Sequence, residues 1–536
     1  MRNSVRTNVF ASVLIFSSAA IVCLSACSQK QTAPAVRASS AATAVDTADH
    51  WTMFNGTYAA DRWQNLNQIN TANAKNLKEM CRFPTSESGA FQAGPVVANG
   101  IVYVTTLNNT YAIDGTNCKL VWKSTYRPVK PLPFNTNRGV ALDDGTLYRD
   151  TQDCHLIALA AADGKMLWNV NPCDSSKGEF LSSAPIVWNN MVYVGIAGAD
   201  WGARGRMMAF DTSDGHQIWS FDLIPIGNEA GSSSWGKAST AATGGGSTWT
   251  TYTLDPQTGE LFVPVGNPAP DFSGDYRPGA NLYTCSLVVL DAKTGQLKWY
   301  YQLVPHDVHD YDLGAAPMLI TTLAAKHLVV FGGKNGYVYA IDRATHALVY
   351  KTAVDTIQNP TAAATVKGVH VCPGWVGGVE WNGPAYARDS NEVIVGSNEW
   401  CGNYVLGEAR YVAGKFFLGG SFVPDPYTQS HGWVTALNAD TGKIVWQDKT
   451  PAAVLAGVSP TSGGVTFTGD MGGLFYAFDS KSGKILYRHK TAGAMAGGVV
   501  AYRRNGKEYV VADDGNVSRS VWPGASGAST IYIFSL

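Results

Sequence analysis

No Cys-x-x-Cys-His run occurs anywhere in this 536-residue chain, which excludes covalently attached haem. Charge is scarce as well. Asp, Glu, Lys and Arg together make up 15% of the residues, against roughly 25% in ordinary soluble chains. The formal net charge is −1, so no overall field gathers nucleic acid or an anionic membrane surface. Long apolar runs are missing from the body. The one candidate, residues 9–24, is too short and too soon followed by polar residues to span a bilayer comfortably. In place of charge there are 56 Gly, 24 Tyr and 16 Trp. That balance fits a large all-β body with many tight turns and buried aromatics.

The first residues read as an export leader. Arg2 and Arg6 give the positive start, and the apolar run ends Leu24-Ser25-Ala26-Cys27. This end resembles a bacterial lipobox, with residues 1–26 as the signal and Cys27 as the lipidated new N-terminus. An ordinary cleaved signal beside an incidental cysteine is the alternative. Residues 28–49 are rich in Ala, Ser and Thr and lack periodicity, which fits a flexible tether. The reading is a leader at 1–26, a tether at 27–50 and one body at 51–536. Such a protein belongs in the periplasm as a lipoprotein, on the outer membrane rather than the inner, touching membrane only through its lipid. Cys81, Cys118, Cys154, Cys173, Cys285, Cys372 and Cys401 remain in the body. In an oxidising compartment some of them pair, and their odd number leaves at least one unpaired.

One pattern recurs along the body. An apolar stretch ends in Asp, a turn follows, and an aromatic lies eight residues past the Asp position. It reaches Trp122 in YAIDGTNCKLVW, Trp168 in IALAAADGKMLW, Trp219 in MAFDTSDGHQIW and Trp299 in VVLDAKTGQLKW. It continues to Tyr350 in YAIDRATHALVY, Trp446 in TALNADTGKIVW and Tyr487 in YAFDSKSGKILY. Alternating apolar residues around Asp, Thr, Gly and Lys turns make paired strands. Spacings of roughly 40 to 50 residues suit four-stranded propeller blades. The intervals Trp219 to Trp299 and Tyr350 to Trp446 are longer and must carry insertions. Seven motifs and the closing IYIFSL predict an eight-bladed β-propeller of antiparallel blades. The early NLKEMCRF strand can complete the last blade and remove the free edge. The recurring Trp residues are expected to pack between neighbouring blades.

Segments between the repeats carry polar chemistry. Residues 304–312, VPHDVHDYD, bring together three acids and two histidines, costly to place inside a sheet without function. Residues 244–272 read GGGSTWTTYTLDPQTGELFVPVGNPAPDF, and residues 195–205 read GIAGADWGARG. The repeat by itself fits either the quinoprotein (PQQ-dependent) alcohol dehydrogenases or the non-catalytic lipoprotein propellers of outer-membrane assembly. These segments resemble the quinoproteins, and the resemblance covers nearly all of residues 51–536.

That resemblance implies the following roles. Asp310 is the catalytic carboxylate that takes the alcohol proton, and Trp249 forms the floor under the flat quinone. Asp200, Asn267 and Asp310 hold a hard cation such as Ca²⁺. Asp312 adds an acid that alcohol-oxidising relatives associate with lanthanide use. Arg138 clamps a carboxylate of PQQ, Ser182 and Gln92 are further polar partners, and Lys334 bonds the quinone oxygens. Several positions depart from the family pattern. Asp200 stands in place of Glu, His309 in place of a Trp of the pocket wall, and Glu380 in place of Asn beside the quinone. Leu132 and Pro133 replace the adjacent cysteines above the quinone. Cys372 and Cys401 match a family disulfide. The implied activity is oxidation of an alcohol or sugar with PQQ and Ca²⁺ or a lanthanide. Electrons then pass to an external cytochrome c or quinone. A scaffold propeller that oxidises nothing is the alternative.

Overall fold

The computed structural model describes residues 47–130, 132–518, 522 and 528–536. The leader, Cys27 and most of the expected tether lie outside them. Residues 47–50, expected in the tether, instead belong to the folded body. Thr47–Asp49 is one 3-10 turn, Ala48 is fully buried in a cluster with Leu66 and Val465, and Asp49 pairs with Arg503. No helix among the described residues is long and apolar enough to cross a membrane.

The described chain forms eight four-stranded antiparallel sheets and one three-stranded sheet. Val96–Ala98, Ile101–Thr105, Asn109–Asp114 and Leu120–Thr125 make the first blade, each strand bonded to the one before. Six further blades repeat that order along the chain. The eighth takes Val499–Arg504, Lys507–Asp514 and Thr530–Ser535 from the end and its outer strand, Lys78–Pro84, from the start. The ring closes as the sequence predicts, and no blade is left with a missing strand. Cys81 on that outer strand is bonded to Cys118 in the first blade, so a disulfide fastens the closure.

Face-to-face stacking of blades explains the burial. Asn109–Asp114, a third strand, is buried along almost its whole length, whereas the outer strand Leu120–Thr125 alternates between exposed and half-buried. A β-bulge falls at the same place in seven blades, between Ala112 and Ile113 in the first and between Ala477 and Phe478 in the seventh. Just beyond each bulge the turn carries the chain to the docking aromatic. Trp122, Trp168, Trp219 and Trp446 each donate the indole N–H to a turn carbonyl of the next blade, those of Ala161, Thr212, Ala292 and Ser480. Each lies against that turn's glycine so closely that a Cβ on Gly164, Gly215, Gly295 or Gly483 would meet the ring within 2.8 Å. Trp299 meets His346 at the glycine position and stacks on it at 4.2 Å instead.

The two long intervals carry the insertions. The larger one, between Tyr350 and Trp446, holds the three-stranded sheet of Val369–Val371, Gly402–Leu406 and Gly420–Pro424. Cys372 and Cys401 are bonded beside its paired residues Val371 and Gly402. Cys154 and Cys173 make a third disulfide, and Cys285 is buried and unpaired.

Candidate active site

In an antiparallel blade the chain enters the first strand and leaves the second at the same end. Every residue expected at the site sits on such a connection. Gln92, Arg138, Ser182, Trp249 and Glu380 precede the first strands of five different blades. Asp200, Asn267 and Lys334 follow second strands, and Asp310 and Asp312 lie on the connection into the fifth blade. The topology thus gathers residues from 92 to 380 at one end of the ring. Nine of these ten line a single cavity of about 220 Å³. Asn267 is buried but is not part of its wall.

The VPHDVHDYD segment shapes its own turn. The Asp307 carboxylate accepts the backbone N–H groups of His309 and Tyr311, and Asp310 between them takes a left-handed φ of +62°. A non-glycine residue held there is strained, and such strain persists only where neighbours enforce it. Tyr311 donates its hydroxyl to the Pro373 carbonyl, and Tyr404 donates to that of His309. His309 points away from the main cavity into a second one and packs on Tyr404. The expectation that His309 alters the pocket wall is therefore corrected, because the turn sends residues 309 and 310 to opposite sides. Leu132 and Pro133 do not line the cavity either; Phe134, Phe180, Trp201 and Phe416 do. Trp201 stacks on Phe416 at 4.4 Å, so an arm of the larger insertion covers this part of the wall.

On one wall, Arg138 gathers the polar groups around it. Its guanidinium donates to Gln92 Oε1 at 2.8 Å, to the Trp249 carbonyl at 2.9 Å and to Ser182 Oγ at 3.3 Å. It lies over the Trp249 ring, 4.6 Å from the centroid, and its Nε–H has no partner among the described residues. Burial lowers its pKa to about 9.

Opposite signs meet at Lys334. Its ammonium lies 2.6 Å from Asp310 Oδ2 and 3.1 Å from Asp312 Oδ2. Burial opposes the Lys334 charge, but Asp310, Asp312 and Glu380 outweigh burial and raise its pKa. Burial pushes Asp310 well up; Lys334 pulls it down, and Asp312, Asp200 and Asp271 push it up again. Asp200 is raised to about 6, by burial first and then by Asp312. Glu380 is raised to about 7 by burial, against the pull of Lys334. Asp312 is engaged on both oxygens. Oδ1 accepts from the Asn267 backbone N–H at 2.6 Å, and Oδ2 accepts from Trp249 Nε1 at 3.2 Å and from Lys334.

One acid escaped the sequence reading. Asp271, in the same GNPAPDF stretch as Asn267, brings a carboxylate oxygen within 4.8 Å of oxygens on Asp200 and Asp310. Its only sequence signal was its position four residues past Asn267.

Known proteins share this architecture. Residues 51–357 match the model of the PQQ glucose/ethanol/alcohol dehydrogenase β-propeller domain. A lanthanide-dependent methanol dehydrogenase of Methylacidiphilum fumariolicum is 30% identical over 516 residues, covering 86% of this chain and 84% of the relative. The chain belongs to the PQQ-dependent alcohol dehydrogenase family. Within that family, a quinoprotein alcohol dehydrogenase of Pseudomonas putida is 28% identical over 84% of this chain and 83% of its own. The solved structure of a europium-containing methanol dehydrogenase superposes with a TM-score of 0.83 at 26% identity, covering 91% of this chain and 98% of that one. Residues 430–522 also match the model of outer membrane protein assembly factor BamB. A solved BamB from Moraxella catarrhalis aligns over 86% of this chain and the whole of its own, with a TM-score of 0.50 at 14% identity, a likeness of fold alone.

Proposed function

We propose that this quinoprotein oxidises an alcohol or sugar hydroxyl with PQQ and a hard cation, Ca²⁺ or a lanthanide, after export from the cytoplasm. The observation that carries the reading is a set of buried polar atoms left without partners and with opposite signs. Asp310 Oδ1 and both Asp271 oxygens stand on one side, and Arg138 Nε on another. Such groups are costly to bury unless a ligand completes them. A hard cation suits the oxygens, and a quinone bearing carboxylates suits the guanidinium. The residues present therefore fit both groups. When bound, PQQ supplies a hydride acceptor and the cation polarises its carbonyl.

Asp200, Asn267 and Asp310 would hold the cation, with Asp312 adding its charge beside them. Gln92, Arg138, Ser182, Lys334 and Glu380 would hold the quinone against the Trp249 face. Asp310 accepts the proton of the substrate hydroxyl, and Lys334 at 2.6 Å stabilises the ionised carboxylate and fixes its direction. Phe134, Phe180 and Trp201 give the cavity an apolar wall beside these polar groups. Electrons leave to a separate cytochrome c or quinone, because the chain has no haem-attachment motif. Three disulfides support an oxidising compartment, while the lipid anchor at Cys27 rests on the leader sequence. The test is dye reduction across alcohols, polyols and aldoses with PQQ and either Ca²⁺ or La³⁺. Turnover of at least one class is the expected result. No turnover with any substrate under either ion would leave a binding-only propeller.

A further inference from the structure

The Asp271 carboxylate feels Arg277 and Lys334 only through space. It is fully buried, and neither carboxylate oxygen has a hydrogen-bond partner among the described residues. Arg277, the buried guanidinium that holds this loop, does not supply one. It donates to the carbonyls of Pro270, Asp271 and Asp307 and to the Asn281 side chain. It fixes the backbone and leaves the carboxylate bare. On the other side, the tip of the large insertion clamps both acidic loops. Phe417 N–H donates to the Asp200 carbonyl at 2.6 Å, and Phe272 N–H donates to the Leu418 carbonyl at 2.8 Å. The Asp200 and Asp271 loops are thus held together by backbone bonds. Their carboxylates, with that of Asp310, are brought within 4.8 Å of one another. Like charges that close repel strongly in a dry site, and a cation among them reverses the sign.

Asp312 differs, because three donors already occupy its oxygens. We propose that Asp271 is a direct ligand of the cation, completing a carboxylate trio with Asp200 and Asp310. This inference rests on the metal-dependent reading above. It adds a residue outside the set that the resemblance implies.

The test needs no turnover. Tb³⁺ is titrated into the full-length exported protein, and Trp-sensitised luminescence gives affinity while decay times in H₂O and D₂O give the bound waters. Asp271→Asn, close in shape, is expected to weaken Tb³⁺ by about 10–100-fold, the scale seen when groups around a metal are lost. It should also admit about one extra water to the ion. Asp271→Glu keeps a carboxylate at that position on a longer arm, so it should hold affinity near wild type and admit no extra water. A role in folding alone would not follow the carboxylate in this way. Unchanged affinity and water count in Asp271→Asn would overturn the proposal while leaving the metal-dependent reading intact. Failure of the wild-type protein to bind Tb³⁺ or Ca²⁺ would overturn both.

Discussion

On the outer wall, Trp122 of the first blade donates to Ala161 of the second, and Trp168 of the second donates to Thr212 of the third. The same bond recurs at Trp219 and Trp446, whereas Trp299 stacks on His346 and leaves its indole N–H open. At the centre, Asp271 and Arg138 Nε find nothing, and Asp310 is held in a left-handed conformation by Asp307, Tyr311 and Tyr404. Wall and cavity grow from the same blades, yet four docking indoles of the wall close on a neighbouring turn, whereas the acids and the guanidinium around the cavity keep atoms open. Repetition stabilises the ring; the connections that depart from it hold the groups available for chemistry. Changes in the two regions should therefore separate cleanly.

The widest separation is expected from Asp310→Asn. It keeps the shape of the turn but removes the base, so turnover should fall by about 10²–10⁴ with melting temperature and bound quinone near wild type. A matching collapse of melting temperature would make Asp310 a structural residue. The double change Cys372→Ser and Cys401→Ser bridges the comparison, because the loop it opens contains Glu380 of the cavity. With a separation of 29 residues, loop closure predicts a loss of about 3–4 kcal/mol, read from the urea midpoint, together with weaker PQQ binding. Weaker stability at unchanged PQQ affinity would show that the loop and the cavity are independent.

A smaller effect, confined to the wall, is expected from Gly483→Ala. Gly483 holds a φ of +72°, and an added Cβ would meet the Trp446 ring at 2.6 Å. Crowding of that kind costs about 1–3 kcal/mol, while turnover per folded molecule should not change. A further effect is one of slope. Asp355 accepts a bond from Ser397 of the sixth blade, and burial, then Glu399, raises its pKa from 3.8 to about 8. The folded chain keeps that proton while the unfolded chain releases it. Its contribution is therefore full near pH 4 and is lost as pH climbs to about 8. Asp355→Asn should gain in melting temperature relative to wild type between pH 5 and pH 8. A constant difference across that range would mean that Asp355 is ionised in the fold.

The wall was legible in the sequence because each Trp stands at a fixed distance from its turn, and one blade predicts the next. The closing strand was legible too, since the ring leaves a place for it. The cavity was legible only through motifs. Trp249, Lys334 and Asp310 match family positions, whereas Asp271 lies in such a segment without a family role, and only the fold brings it beside Asp200 and Asp310. His309 was misplaced for a related reason. Its side is set by the Asp307 cap, which no periodicity encodes. The extent of the tether was misread because Ala48 is small and its burial depends on distant Leu66 and Val465.

The most direct measurement is the quinone itself. The exported protein, loaded with PQQ and Ca²⁺ or La³⁺ and then freed of excess by gel filtration, should retain one PQQ per chain by absorbance. Trp249→Ala, which removes the flat face beneath Arg138, should retain far less. Quinone that washes from the wild-type protein as readily as from the variant would contradict the assignment of this cavity.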